Sequence, residues 1–456
     1  MKKPALKNLL QIAALSILAL CIFSCTGRDA GITGDSLVVR TQTEPGQLVR
    51  LQVITDRIIR VTSVPGEKFP ETVSLMTVEN KLPAVDFNVE ENDTVYILVT
   101  DSIKAYVFKK TGEVHFTDLH GKTILAEKKG GGKTFDQYEL DGESCYEIRQ
   151  QFESPGDEAI YGMGANQTSF MNLKGKNLDL YQYNTKTAIP FFISNKNYAI
   201  LWDNYSRSKY GDPREYKQLA GLTLYNSEAL EGGLTATYAY RNDRDKIFIS
   251  REEEEIDYRF IPDMDKFPQG YNLNDGFVSW DGYLQSGKSG MHNFIFTSAG
   301  YARLWIDDEL LFDRWRVAWN ASSNQFDLDM KEGRKYHLRI EWIPDGGESY
   351  IGLRYLDPLP PDEQNRISLF SEAADQIDYY FIAGNDMDEL ISGYRTLTGK
   401  APMMPKWAMG FWQSRERYSS QEELLSVVSE FRKREIPIDN IVQDWQYWPD
   451  DGWGDH

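Results

Sequence analysis

Cysteine is scarce in this chain, which has three in 456 residues: Cys21, Cys25 and Cys145. None forms a CxxC pair, and the five histidines are scattered without an HExxH or other paired spacing, so no dedicated metal and no cofactor is expected. Phosphate loops are missing too. Two Gly-Lys-Thr triplets, starting at Gly121 and Gly132, have Phe116 and Glu127 where a Walker loop needs glycine to curl its backbone round phosphate. Gly162-Met163-Gly164 lacks the third glycine of a dinucleotide fingerprint, no GxSxG elbow occurs, and Cys145 has no nucleophile signature around it. Positive charge is short: 50 Lys+Arg face 69 Asp+Glu, a formal −19 that opposes long-range attraction to a nucleic-acid backbone or an anionic membrane face. No nucleic-acid partner is expected, and a neutral or cationic ligand fits better. What the chain does hold, 13% aromatic and 26% charged residues, describes ordered globular protein. Its length implies roughly two to four domains.

Lys2, Lys3 and Lys7 precede an apolar run at residues 9–23, the layout of a secretory leader and shorter than a comfortable membrane span. The run ends Ile22-Phe23-Ser24-Cys25, which resembles the lipobox of bacterial lipoproteins, with Phe23 bulkier than is usual there. On that resemblance residues 1–24 are a removable signal peptide and Cys25 receives lipid, anchoring the protein to a membrane. The product is then an exported bacterial lipoprotein on the periplasmic or cell-surface side of the outer membrane. Cys145 remains alone, so no disulfide forms within the mature chain. The alternative is a buried N-terminal helix with two core cysteines.

From residue 36 to 117 the text is strand after strand. Residues 48–53, 57–62, 95–99 and 103–108 are β-branched and aromatic, several alternate, and Pro65-Gly66, Glu91-Asn92-Asp93 and Thr111-Gly112 punctuate them. This predicts a β-sandwich over residues 25–230. A second β-rich block at residues 231–360 reads as an insertion, because strand-like text resumes at Asp378-Tyr379-Tyr380-Phe381-Ile382 and returns to the sandwich over residues 361–400. The acidic run Glu252 to Glu255 is expected to be a solvated face. In residues 401–456 the character changes. Residues 407–413 form an apolar run of buried-strand type, and Ser420-Gln421-Glu422-Glu423 has the form of a capping box. Leu424, Leu425, Val427, Val428 and Phe431 make one apolar helical stripe, and residues 440–444 are a second buried strand. Strand, helix and strand with short links predict one βαβ unit opening a parallel sheet or barrel.

Five of the eleven tryptophans, Trp407, Trp412, Trp445, Trp448 and Trp453, fall in this last segment, around the carboxyl ends of the two strands. Those ends face the active site in a barrel. Flat aromatic faces stack on sugar rings and a carboxylate such as Asp444 accepts hydrogen bonds from two hydroxyls. Core filling is the competing explanation, favoured for Trp407 and even with the functional one for Trp412, Trp445 and Trp448. Asp444 ends an apolar strand, where an unpaired buried carboxylate is costly without a ligand or partner.

The run Pro405-Lys406-Trp407-Ala408-Met409-Gly410-Phe411-Trp412-Gln413-Ser414-Arg415 with Tyr418, and then Ile436-Pro437-Ile438-Asp439-Asn440-Ile441-Val442-Gln443-Asp444-Trp445, resemble the first two barrel strands of glycoside hydrolase family 31, the retaining α-glycosidases. Tyr161-Gly162-Met163-Gly164 and Ile189-Pro190-Phe191-Phe192 resemble signposts of that family's galactose-mutarotase-like β-sandwich. The inserted block resembles the protective-antigen-type β-sandwich, a carbohydrate-binding or adhesion module, through Phe277-Val278-Ser279-Trp280-Asp281-Gly282, Leu304-Trp305-Ile306-Asp307 and the strand-like residues 331–342. Ser298-Ala299-Gly300-Tyr301 stands where many such modules carry acids, a departure that argues against calcium-dependent sugar binding by the insert. The alternative for the insert is a spacer that shapes one wall of the cleft.

The implied architecture is multidomain and mainly β: a mutarotase-like sandwich interrupted by the insert, then the first βαβ unit of a (β/α)8 TIM barrel. The implied function is glycoside hydrolysis. The insert, Gln413-Ser414-Arg415 and Asp444-Trp445-Gln446-Tyr447-Trp448 are similar to the branch that removes α-linked xylose from xyloglucan oligosaccharides, so an oligosaccharide substrate is expected. The alternatives are an α-glucosidase of the same family and a non-catalytic, lipid-anchored carbohydrate-binding protein. The family's double displacement uses two aspartates beyond the fourth and sixth strands. A full barrel takes roughly 250 residues, so residues 405–456 are expected to hold two strands and no catalytic residue, as in a truncated chain. Asp203, Asp212 and Asp444 are therefore not assigned catalytic roles. What carries over is substrate binding: Asp444 to a sugar hydroxyl, Trp445, Trp448, Gln413, Arg415 and Trp412 as neighbours, and Asn184 on a loop the sandwich lends to the site.

Overall fold

A computed structural model describes residues 29–43, 46–71, 73–78, 82–166, 168, 170–182, 186–259, 264–344, 350–445, 447 and 448. The leader, Cys25 and Asn184 lie outside these. The first sandwich is built on an eight-stranded antiparallel sheet in the order Ala30–Thr33, Ser36–Arg40, Leu48–Thr55, Ile58–Val64, Ile377–Ala383, Tyr198–Trp202, Thr187–Ser194, Ile160–Ala165. Two five-stranded sheets complete it. One runs from Asn88–Glu91 to Thr123–Ala126 as a meander; the other has the order Lys133–Leu140, Glu143–Glu153, Arg366–Ala374, Ser208–Tyr210, Leu178–Leu180.

The period-2 pattern explains which faces turn inward. In Ile103–Phe108, Ile103, Ala105 and Val107 are buried while the residues between them are half-buried. Ile377–Ala383 is buried along its whole length, which is why its text is apolar but for Asp378, whose carboxylate Arg60 binds. Phe381 on that strand stacks on Phe116 of the meander with ring centroids 3.8 Å apart, tying two sheets into one core. Asp141-Gly142 makes the tight hairpin between Lys133–Leu140 and Glu143–Glu153, both residues with positive φ (51° and 85°), as a two-residue primed turn requires.

The insert is a ten-stranded antiparallel system with its own core of Trp280, Trp342, Phe294, Phe296, Leu304 and Leu353. Its long strand Gly290–Ile306 pairs with Tyr350–Leu356 through residues 293–298 and with Lys335–Ile343 through residues 301–306. The switch occurs at a register shift around Gly300, whose φ of 90° a side-chain-bearing residue rarely adopts. Ser298-Ala299-Gly300-Tyr301, the departure noted in the sequence, is this corner, and Trp342 Nε1 donates to the Ala299 carbonyl at 2.8 Å. The insert's sheet also takes in Lys217–Gln218 and Thr223–Tyr225, which lie ahead of the expected boundary at residue 231.

One expectation fails here. The run Glu252 to Glu255 is not a solvated face throughout, because Glu253 is buried at 8% exposure. Its carboxylate accepts from Tyr238 Oη (2.6 Å), Arg251 Nε (2.6 Å) and Trp280 Nε1 (2.7 Å), so three donors repay its desolvation.

Residues 395–456 form a second unit. It contains the short 3-10 turn Lys406–Met409, strand Trp412–Arg415, helix Gln421–Lys433 and strand Asn440–Gln443. The strands are parallel, with Trp412 opposite Asn440 and Arg415 opposite Gln443, so this is one βαβ unit. Two expectations need correction. Residues 407–413 are not one buried strand: the first half coils as the 3-10 turn, and the strand that follows has a single strand neighbour among the described residues, leaving Phe411 and Trp412 exposed. On the helix, Leu424, Val427, Val428 and Phe431 are half-buried in the i, i+3, i+4, i+7 pattern, whereas Leu425 points to solvent.

Candidate functional site

The carboxyl ends of the two parallel strands bring most of the expected site residues together. Gly410 precedes the first strand, and a Cβ there would lie 2.0 Å from Asp439 Oδ2; glycine lets that carboxylate approach and accept from the Phe411 N–H at 2.9 Å. This contact ties the entries of the two strands together. Ser420 caps the helix by accepting from the Glu423 N–H at 3.2 Å. Glu423 does not close the box on Ser420; it reaches back to the Ser419 N–H and hydroxyl, both at 2.7 Å.

Glu423 is the residue that sequence reasoning missed. Arg415 Nη1 bonds its carboxylate at 2.9 Å, and the guanidinium also lies 5.4 Å from the Tyr418 ring centre. The Ser419 donors, then Arg415, hold the Glu423 carboxyl below the usual carboxylate range. Arg415 therefore comes to the strand end already paired, fixed between a helix N-terminus and an aromatic face. The capping signal at Ser420 was the clue, since it places a carboxylate within reach of the preceding strand.

Tyr418 is buried at 3% exposure and organises the other strand-end amides. Gln443 Nε2 donates to its carbonyl at 3.3 Å, and Gln413 Nε2 donates to the Ser414 carbonyl (3.3 Å) and to Tyr418 Oη (3.5 Å). Asp444 stands one residue past its strand and is half-buried rather than enclosed; its Oδ1 accepts from the Trp445 N–H at 2.8 Å. The cost of an unpaired buried carboxylate thus does not arise in this structure, and Asp444 retains acceptor capacity. Trp445 and Trp448 lie with ring centroids 6.2 Å apart, Trp445 exposed. Trp412 packs on Trp407 at 5.9 Å and donates from Nε1 to the Ala408 carbonyl at 3.1 Å, so one of its faces is already covered. The arrangement offers a carboxylate, two carboxamides and exposed aromatic rings, which suits neutral polyhydroxylated ligands better than ions.

Asp203 and Asp212 belong to the first sandwich. Asp212 closes on Arg214 at 2.6 Å. Asp203 is buried 4.0 Å from Arg60, whose guanidinium binds Asp378 through Nε–Oδ1 at 2.9 Å and Nη2–Oδ2 at 2.5 Å. Burial pushes the Asp378 carboxyl up to about 6 against the pull of Arg60.

Comparison with known proteins agrees with this architecture. Residues 48–210 match the glycosyl hydrolase 31 N-terminal galactose mutarotase-like domain, residues 230–357 the PA14 domain, and residues 401–456 the glycosyl hydrolases family 31 TIM-barrel domain. The crystal structure of the family 31 α-xylosidase from Xanthomonas citri superimposes with a TM-score of 0.84 at 41% identity, over 93% of this chain and 46% of that one. Two of this chain's domains are therefore domains of glycoside hydrolase family 31. Within the family, the α-xylosidase of Saccharolobus solfataricus is 57% identical over 90 residues, 20% of this chain and 12% of its own. α-Glucosidase 2 of Bacillus thermoamyloliquefaciens is 38% identical over 78 residues, 17% of this chain and 10% of its own. The chain thus spans less than half the length of these family 31 proteins.

Proposed function

We propose that these residues belong to an α-xylosidase that removes α-linked xylose from xyloglucan-type oligosaccharides. The observation that carries the reading is the likeness to the Xanthomonas α-xylosidase, at 41% identity over 93% of this chain. In this reading hydrolysis is a double displacement by two carboxylates of later barrel strands, and this chain's residues bind and orient the sugar. Asp444 accepts from a hydroxyl of the sugar being cleaved, Gln413 and Arg415 line the same strand ends, and Trp445, Trp448 and Trp412 form an aromatic rim. Xylose lacks the hydroxymethyl group of glucose, so bulky rings closing the pocket would exclude glucose by shape. The Bacillus relative supports α-glucosidase as the second reading. Cys25 is proposed as the site of lipid attachment, which radioactive palmitate labelling checks.

In the longer protein, Asp444→Ala is expected to lower kcat/KM on an aryl α-xyloside by about a hundredfold or more, with little change in melting temperature. Near-normal turnover removes Asp444 from the site. Faster hydrolysis of the aryl α-glucoside than of the α-xyloside by the unmodified protein decides for the second reading.

A further inference from the structure

The insert meets the first sandwich at an unusually complete set of neutral hydrogen bonds, all converging on Asn177. Its N–H donates to Gln325 Oε1 at 3.0 Å, and its carbonyl accepts from Gln325 Nε2, so the glutamine amide pairs with the backbone as a neighbouring strand would. Its Nδ2 donates to Tyr216 Oη at 3.0 Å and to Asn293 Oδ1 at 3.5 Å, and its Oδ1 accepts from the Asp212 N–H at 2.8 Å. Every polar group of one residue is thereby engaged, and Gln325 and Asn293 lie on the insert's paired strands Gly290–Ile306 and Glu309–Met330. Gly211 makes room for this: at a φ of 93°, a Cβ there would lie 2.5 Å from Asn177 Oδ1 and 2.4 Å from the Lys176 carbonyl.

Charged contacts surround the amides. Lys176 pairs with Asp327 at 2.7 Å, while Asp357 at the insert's exit binds Lys217 at 2.6 Å and Lys288 at 2.9 Å. These are partly exposed pairs, weak and screened by salt. The amides around Asn177 carry no charge and are indifferent to ionic strength. Beside them lies a cleft of about 250 Å³ with Asp179 and Arg207 on the sandwich side and Ser322 and Ser323 on the insert side.

We propose that Asn177 is a latch that makes the insert one rigid body with the first sandwich, so that the strand Glu309–Met330 is a fixed wall of this cleft and not the edge of a tethered module. The claim stands independently of the substrate, because it concerns how the insert is held. With the latch removed, charged contacts such as Lys176–Asp327 carry more of the junction, so the position of the insert becomes dependent on salt.

Small-angle scattering on the full chain at about 0.05 M and about 1 M salt tests this, with proteolytic nicking of the joining residues 211–216 and 357–365 as a second readout. The unmodified chain is expected to give the same profile at both salt concentrations. Gln325→Ala, which removes the pairing with the Asn177 backbone, and the double variant that adds Asn177→Ala are each expected to expand at the higher salt and to be nicked about tenfold faster there, with the insert's own core still protected from hydrogen exchange. Lys176→Ala, which removes a charged contact alone, is expected to change neither readout. Unchanged scattering and nicking in both amide variants at the higher salt overturns the latch, as does expansion of Lys176→Ala equal to theirs. Should the double variant fail to fold, Gln325→Ala decides between the same outcomes.

Discussion

The two sandwiches solve the same packing problem with different wiring. The insert draws every strand of its sheet from residues 217–356, so its core closes on neighbours in sequence. The first sandwich is split around it. Ile58–Val64 must wait for Ile377–Ala383, and the Arg60–Asp378 pair that joins these strands spans 318 positions. The difference teaches which domain depends on the other: the insert can be spliced into a loop because its core is self-contained, whereas the host core is completed by strands that arrive after it. Non-local pairing of this kind delays the reward for loop closure.

The largest effect that would break this contrast follows from removing residues 361–456. That deletion takes Arg366–Ala374 and Ile377–Ala383 from the middle of two sheets and with them Leu369, Tyr379 and Phe381 from the shared core. The first sandwich is expected not to fold, while the amides of Gly276–Gln285 and Lys335–Ile343 stay protected from hydrogen exchange. Protection of Leu48–Thr55 in the deleted chain would show that the host core does not need its returning strands.

A buried glutamate in each core sharpens the comparison at the scale of single side chains. Glu127 is fully buried beside Lys133, accepts from Tyr379 Oη and from the Val114 N–H at 2.8 Å each, and has no route to water for its ammonium partner, which is 2% exposed. Glu253 in the insert faces Arg251, whose side chain is 36% exposed. Glu127→Gln strands a buried cation and is expected to cost about 3–5 kcal/mol in chemical denaturation. Glu253→Gln leaves a guanidinium that water can solvate, and its expected cost is about 1–2 kcal/mol. Equal costs would mean that exposure of the cation does not govern the penalty.

How much of this was legible depended on whether a signal was local. Period-2 alternation at residues 103–108, the apolar and aromatic text of residues 379–383 and the capping residue Ser420 all record local constraints, and each is visible in the sequence. The strand Lys217–Gln218 is two polar residues with no period to read, and exists because Tyr350–Leu356 offers it an edge. Which acid of Glu252 to Glu255 turns inward is decided by Tyr238 and Trp280, distant in sequence. At the strand ends the residue types by themselves place a carboxylate, carboxamides and aromatic rings near one another, but the pairing of Arg415 with Glu423 depends on where a helix begins relative to a strand. The enclosure expected for Asp444 is likewise set by tertiary neighbours, which its own apolar strand does not specify.

The smallest test uses protons. His292 in the insert is fully buried, its Nδ1 lying 3.0 Å from the Gly290 carbonyl and its Nε2 2.8 Å from Ser286 Oγ. A neutral ring donating from Nδ1 and accepting at Nε2 satisfies both partners, and protonation would leave the Ser286 hydroxyl without its acceptor. Burial lowers the imidazole pKa below its usual value near 6.5, with the Gly290 carbonyl, Asp357 and Asp329 opposing that shift and Lys288 adding to it. The sign follows: the unfolded chain takes up a proton as pH falls below 6.5 while the folded insert resists, so stability present above that value is lost on acidification. In the first sandwich the Asp378 carboxyl, pushed up to about 6, takes up a proton in the same range and adds stability as pH falls, so the loss belongs to the insert. Between about pH 7.5 and 5.5 the insert's amides are expected to lose protection and those of the first sandwich are not, with His292→Gln flattening the insert's response. An equal slope in both sandwiches would assign the pH dependence to their carboxylates and erase this last distinction between the two cores.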